Sequence, residues 1–183
     1  MLTKPLGCGI LATALKGGLL PQSAEEAMIN TMAALNQPPL AVLAQESFAA
    51  LRQEVHSCTD ITGFGLFGHA HEMAAASGLS LHISAKGLPL MPETLDMAAV
   101  GMIPAGAYRN QGHYRSSLHS SLPADALEEM LGFDPQTSGG LLCSLSERAG
   151  QALLAGLNQL GYRLPACIIG RVEEGPAGAI FLS

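Results

Sequence analysis

Cys58-Thr59-Asp60-Ile61-Thr62-Gly63-Phe64-Gly65-Leu66-Phe67-Gly68-His69-Ala70 packs an acid, two hydroxyls and three glycines between a strand-like run and a helix-like run. Val55 to Ile61 reads as a strand, and Leu66 to Ala76 as a helix ended by Ser77-Gly78. A glycine-rich turn from strand to helix lets backbone N–H groups and a helix N-terminus approach an anion. A second polar loop, Asp134-Pro135-Gln136-Thr137-Ser138-Gly139-Gly140, precedes the apolar strand Leu141 to Leu145. These two loops carry most of the functional signal. They are expected to sit near one edge of the same face and to line one cleft.

Outward from this pair, strands and helices mix without strict alternation, which points to an α+β domain with a mixed β-sheet flanked by helices. Leu6 to Lys16 reads as a strand ending at Gly17-Gly18. A chain that opens inside an element suggests polypeptide upstream. Ser23 with Glu26 has the spacing of a capping box opening a helix through Asn36, and Pro38-Pro39 stops it and launches a helix from Leu40 to Leu51. Leu79 to Ser84 alternates as a strand, Pro92 to Val100 is a short helix, and Gly101 to Ser121 reads as a polar, irregular surface or active-site loop. Pro123 to Leu131 reads as a helix, and Ser146 to Leu160 as an amphipathic helix closed by Gly161. Cys167 to Val172 and Ala179 to Leu182 read as a terminal pair of strands around Gly175-Pro176-Ala177-Gly178.

A length of 183 residues suits one domain able to bury a core without staples. The net charge of −6 and the lack of a Lys/Arg cluster argue against a nucleic-acid partner. The four cysteines form no C-x-x-C pair and read as reduced core residues of a cytoplasmic protein. Pro5 and the glycines interrupt the apolar start, which argues against a secretion signal. No run reaches the roughly 18 apolar residues of a membrane span.

Gly63, Gly65 and Gly68 spell G-x-G-x-x-G, yet the ribose-binding acid that a dinucleotide site needs is missing from the following strand. Asp60 has no basic residue between Glu54 and Lys86 to pair with. A hard cation with oxygen ligands and a plain structural turn both account for it. It is expected to project into solvent without a Lys or Arg partner. His56, Cys58 and Asp60 share one face of the strand, but one strand cannot wrap a tetrahedral ion, so that face is expected to be buried. His69 and His71 do not face the same way on a helix. The Asp134 loop reads either as an Asx-Pro turn or as a cleft-lining donor set. Cys143 lacks a base or cation to activate it.

Leu2-Thr3-Lys4-Pro5-Leu6-Gly7, the Thr59–His69 string, Pro104-Ala105-Gly106-Ala107-Tyr108-Arg109-Asn110 and Asp134 to Leu142 resemble, in this order, the C-terminal half of selenophosphate synthetase (selenide, water dikinase). The resemblance spans essentially the whole chain, and its TDITGFG and DPQTSGG strings are specific. It implies one domain over residues 1–183, of the C-terminal type found in the selenophosphate synthetase and aminoimidazole ribonucleotide synthetase superfamily. It implies a part in making selenophosphate from ATP, selenide and water, with release of AMP and phosphate and with Mg²⁺ as cofactor, in a two-domain homodimeric enzyme. Asp60 matches the family's Mg²⁺-ligating Asp, and Thr62, Gly63, Gly65, Asp134, Gln136 and Thr137 become candidates for the nucleotide cleft.

The family's N-terminal segment, with its reactive Cys or selenocysteine, catalytic Lys and other metal-binding carboxylates, has no counterpart here, and Lys4 and Cys8 do not replace it. The expectation is therefore a C-terminal domain whose partner is that N-terminal domain, inactive alone. Other readings are a non-catalytic interaction domain of the same fold, another ATP-dependent member of the superfamily, or an oxidoreductase domain weakened by the missing acid.

Overall fold

β1 (Val55–Asp60) runs antiparallel to β4 (Leu141–Leu145), with Cys58 opposite Cys143 and Asp60 opposite Leu141. A second sheet has the order β3 (Leu118–Ser120), β6 (Ile180–Leu182), β2 (Ser80–Ile83), β5 (Gly170–Glu173). It is mixed, because β2 and β3 run parallel to β6 while β5 is antiparallel to β2. The computed structural model describes residues 1–123 and 126–183.

α4 (Gly65–Ser77) is the central support of both sheets. Leu66, Phe67, Ala70 and Ala74 are buried in one cluster with Ile61 and Leu142 of the first sheet's side and Leu81, Ile83, Ile180 and Leu182 of the second. Each of these Leu, Ile and Phe side chains contributes roughly 1.5–3 kcal/mol through burial. Gly78 closes the helix at φ 68°, as expected. α3 (Gln37–Ala44) and α8 (Glu147–Gln159) pack only at the Val55 and Leu145 ends of β1 and β4, where their Val42, Ala149, Leu153 and Leu157 form a second cluster with Met1 and Phe48. Ser146 caps α8 by accepting the Ala149 N–H at 3.1 Å.

Several local expectations are corrected. Leu6 to Lys16 is not a strand: it contains helix α1 (Cys8–Lys16), whose Cys8, Ile10, Leu11 and Ala14 are buried. A helix packed on so many sides shows no polar face, so its sequence mimics a buried strand. α2 (Gln22–Ala33) starts from Pro21 with no side-chain cap, which removes the capping box at Ser23. The second expected helix is α3 followed by a 3₁₀ segment over Glu46–Glu54.

Beyond α5 (Thr94–Ala99), the stretch read as irregular forms α6 (Ala105–Tyr114) and then β3. Its buried stripe, Ala107, Asn110 and Tyr114, includes a polar residue and so hid the helical period. The helix expected from Pro123 is α7 (Leu127–Phe133); Ala124 and Asp125 lie outside the described residues. β5 and β6 do not pair with each other, because β2 lies between them.

Candidate functional site

Asp60 ends β1 with its side chain in solvent. Among the described residues no Lys or Arg comes within ion-pair distance of it. The face it shares with His56 and Cys58 is exposed, which corrects the buried face read from the sequence. α3 and α8 leave this side of β1 uncovered while α4 covers the other, so the histidine needs no buried partner.

Past Asp60 the two polar loops meet. The Ile61 N–H donates to the carbonyl of Gly140 at 2.9 Å, and the Gln136 N–H to the carbonyl of Thr62 at 3.0 Å. Gly139 lies so close to the Ile61 carbonyl that a side chain there has no room. Thr137 and Ser138 are exposed at the rim beside this junction, and Gly63 opens on free space. Asp60, Gly63 and Thr137 thus lie at a solvent-open, oxygen-rich stretch of surface around this junction, next to Thr62 and the start of α4.

Asp134 and Gln136 sit differently from Thr137. Both are buried, and both turn toward the start of α1. Asp134 Oδ2 accepts the Gly9 N–H at 3.0 Å, and Gln136 Oε1 accepts the Cys8 N–H at 3.3 Å. Gln136 Nε2 in turn donates to Asp134 Oδ2 at 2.8 Å. The first turn of a helix leaves N–H groups without intrahelical partners, and here the distant loop supplies them, since Gly7 at the N-cap position has no side chain to do so. Asp134 Oδ1 has no partner among the described residues. Burial pushes the Asp134 carboxyl up to about 7, against the smaller opposing effect of its bonds from Gln136, Gly9 and Ile10.

Three residues that sequence reasoning left without a site role hold this junction. Lys4 is buried and donates from Nζ to the carbonyls of Ala34 at 2.5 Å and Ser138 at 2.8 Å. Asn110 Nδ2 donates to the carbonyls of Gly63 at 2.8 Å and Phe133 at 2.9 Å, tying one loop to the approach of the other. His69 Nε2 accepts the Thr62 N–H at 3.1 Å, which makes Nδ1 the protonated nitrogen, 3.4 Å from Glu72. His71 faces elsewhere and bonds the Gly178 carbonyl. Their signal was faint, because the partners of Lys4 and Asn110 lie far away in the sequence.

The glycines divide their work. Gly65 has φ 71° and its missing Cβ would lie 2.8 Å from the Gly132 carbonyl oxygen, while Gly68 makes room for Phe64 and Tyr114. Two of the three therefore serve packing, and Gly63 alone faces open space. Of the cysteines, Cys8 and Cys143 are buried as expected, but Cys58 is exposed, with its Sγ 3.5 Å from that of Cys143. The bond from Cys143 brings the Cys58 thiol down to about 7.

Residues 1–183 match the family described as AIR synthase related protein, C-terminal domain. The chain belongs to that family. This AIR synthase-type domain is 38% identical over 174 residues to selenide, water dikinase of Caldanaerobacter subterraneus subsp. tengcongensis, covering 95% of this chain and 48% of the relative. It is 42% identical over 172 residues to selenide, water dikinase 2 of Peptoclostridium acidaminophilum, covering 94% and 47%. The chain thus spans about half the length of the curated relatives it matches.

Among solved structures, the fold is similar to hydrogenase maturation protein HypE in complex with ATP, with a TM-score of 0.63 at 19% identity over 99% of this chain and 45% of that one. It is also similar to thiamine-monophosphate kinase from Stenotrophomonas maltophilia K279a, with a TM-score of 0.57 at 16% identity over 99% and 48%. The AIR synthase-type fold is accordingly the mixed sheet flanked by helices that the sequence implied. No helix among the described residues is long and apolar enough to cross a membrane.

Proposed function

We propose that this domain is the C-terminal portion of a selenide, water dikinase, supplying one wall of a Mg²⁺–ATP cleft that an N-terminal domain completes. The observation that carries this reading is the exposed, unpaired Asp60 carboxylate beside the junction of the two loops, in a chain whose curated relatives bear that name. The donors fit a hard cation: Asp60 offers a carboxylate, Thr62 adds a hydroxyl oxygen just past the strand end, and the described residues hold no cluster of three His, Cys, Asp or Glu that would favour another ion. One carboxylate with several positions left for phosphate oxygens and water is an arrangement Mg²⁺ accepts. When bound, Mg²⁺ would neutralise charge on the phosphates during transfer.

The chain's own residues bind and position. Asp60 would hold the ion at the strand end. Thr62, Gly63 and Thr137 present hydroxyl and backbone groups to a nucleotide, and Gly65 lets the turn close on α4. Asp134 and Gln136 act one layer behind, by fixing the loop on α1. Phosphoryl transfer depends mainly on positioning and charge neutralisation, so a half-cleft binds nucleotide weakly and turns over negligibly. The reading extends to a homodimeric, cytoplasmic enzyme that consumes selenide and water, in keeping with the relatives' name and with cysteines that form no C-x-x-C pair.

The test is Asp60→Asn in the longer protein, which removes the charge at nearly constant shape. Mg²⁺-dependent, selenide-dependent AMP formation should disappear with little change in melting temperature. Near wild-type turnover of that variant, or robust AMP formation by residues 1–183 alone, defeats the proposal.

A further inference from the structure

One cavity lies well away from Asp60. It lies at the other end of β1, has a volume of about 510 Å³, and separates β4 from β5. Ser144 and Leu145 line one side, Gly170 and Val172 the other, with Met73 and Leu81 between them. β4 and β5 are both terminal strands of their sheets, so two sheet edges face each other across a space with an apolar floor and a polar rim that includes His56, Glu147 and Arg171.

The backbone shows what such a space takes. Gly140 directs its carbonyl toward β1, where it meets the Ile61 N–H. Alternation then directs Leu141, Cys143 and Leu145 to the opposite edge. Met1 to Thr3 begin to occupy that edge: Thr3 N–H donates to the Leu141 carbonyl at 3.1 Å, Cys143 N–H to the Met1 carbonyl at 2.9 Å, and the Met1 amino group to the Cys143 carbonyl at 2.9 Å. Leu2 points the other way and exchanges both of its backbone bonds with Cys167, at 2.8 and 2.9 Å.

Three residues are therefore already wedged between the halves of the molecule as the beginning of a middle strand. The next partner along β4 is Leu145, and the cavity begins there. Across it, the Ser84 N–H bonds the Ile169 carbonyl, which turns Ile169 and Arg171 toward β2 and leaves the backbone groups of Gly170 and Val172 facing the gap. Backbone groups at a sheet edge are a template for another strand. The Met1 amino group is itself in the ladder and almost fully buried. A peptide N–H would make the same bond without a charge to desolvate.

We infer that this gap is a β-strand site, filled by the extended polypeptide that leads into Met1 in the longer protein, antiparallel to β4 and joining the two sheets into one. The inference rests on the reading of this chain as the C-terminal portion of that protein. On this reading an apolar residue before Met1, on the face of Leu2, would fit against Met73 and Leu81. A domain connection built as a shared strand would hold Asp60, on the neighbouring β1, at a defined distance from whatever precedes Met1.

Hydrogen exchange tests it without reference to catalysis. Three chains are compared: residues 1–183, the same chain preceded by Thr-Val-Thr-Val-Thr-Val, and that extension with proline in place of each threonine. The alternating extension should slow exchange of the Leu145, Gly170 and Val172 amides by about tenfold or more, and the proline version should not. Equal exchange in all three overturns the strand site. So does full protection of these amides in the unextended chain, whether from a second copy, seen as a dimer mass, or from closure of the gap.

Protection together with an active Asp60→Asn enzyme would defeat the proposed function and leave the strand site standing. No protection together with Asp60-dependent turnover would do the reverse.

Discussion

Gln136 donates its backbone N–H to the carbonyl of Thr62 at 3.0 Å, joining two loops that lie far apart in the sequence. Its side chain meanwhile reaches the first turn of α1. One residue thus couples the exposed loop junction to the buried support beneath it, and the stability of that support is open to measurement.

Asp134 makes the support pH-dependent. Its carboxyl titrates near 7 in the folded chain, raised by burial from an ordinary 3.8. Between those values the folded chain keeps a proton that the unfolded chain has released. The stabilisation is complete below about pH 4 and is lost as pH rises through about 7, with a slope of at most about 1.4 kcal/mol per pH unit. Urea unfolding of wild type and Asp134→Asn from pH 5 to pH 8 is expected to show the difference shrinking in favour of the variant as pH rises. Parallel pH profiles would refute it.

Asn110→Ala strips the Gly63 and Phe133 carbonyls of their shared donor. A cost of about 2–3 kcal/mol is expected from two carbonyls losing a partner and the space left behind. Exchange of the amides from Thr62 to Gly65 should rise more than that of α8. A uniform loss of protection would mean that Asn110 holds the whole fold and not this loop in particular.

The three glycines of the turn are expected to respond unequally. Gly65→Ala meets both a left-handed backbone and the Gly132 carbonyl and should cost about 2 kcal/mol or more. Gly63→Ala meets nothing within 4 Å and has ordinary φ, so its melting temperature should stay near wild type. If Gly63 borders the nucleotide as proposed, that variant should instead weaken ATP binding in the longer protein. Calorimetry and nucleotide titration separate the two.

Cys58 is expected to be the first thiol modified. It is exposed, whereas Cys8 and Cys143 are buried. Limited iodoacetamide treatment followed by peptide mass mapping should find label on Cys58 well before either buried thiol. Faster labelling of Cys143 would show that the β1–β4 ladder opens readily in solution.

Much of this molecule was legible from local pattern. The turn from Cys58 to Ala70, the helix closed by Gly78, the strand Leu141 to Leu145 and the Ser146 cap each depend on residues a few positions apart, where period, cap and glycine chemistry act directly. The exposed Asp60 was legible in part: the lack of a nearby basic residue is written in the sequence, and the structure shows that no distant Lys or Arg among the described residues reaches it either.

What tertiary structure alone decided involves groups brought together from a distance. α1 looks like a buried strand because its N-terminal donors are satisfied by Asp134 and Gln136, more than a hundred residues away, and nothing in its own sequence records that cap. α6 was hidden because Asn110 is buried as a clamp where a helical pattern calls for an apolar residue. β5 and β6 were read as partners because they are neighbours in sequence, yet β2 enters between them. Backbone hydrogen bonds across a sheet are blind to side-chain identity, so strand order follows from which faces can be buried together, and that is a property of the whole fold.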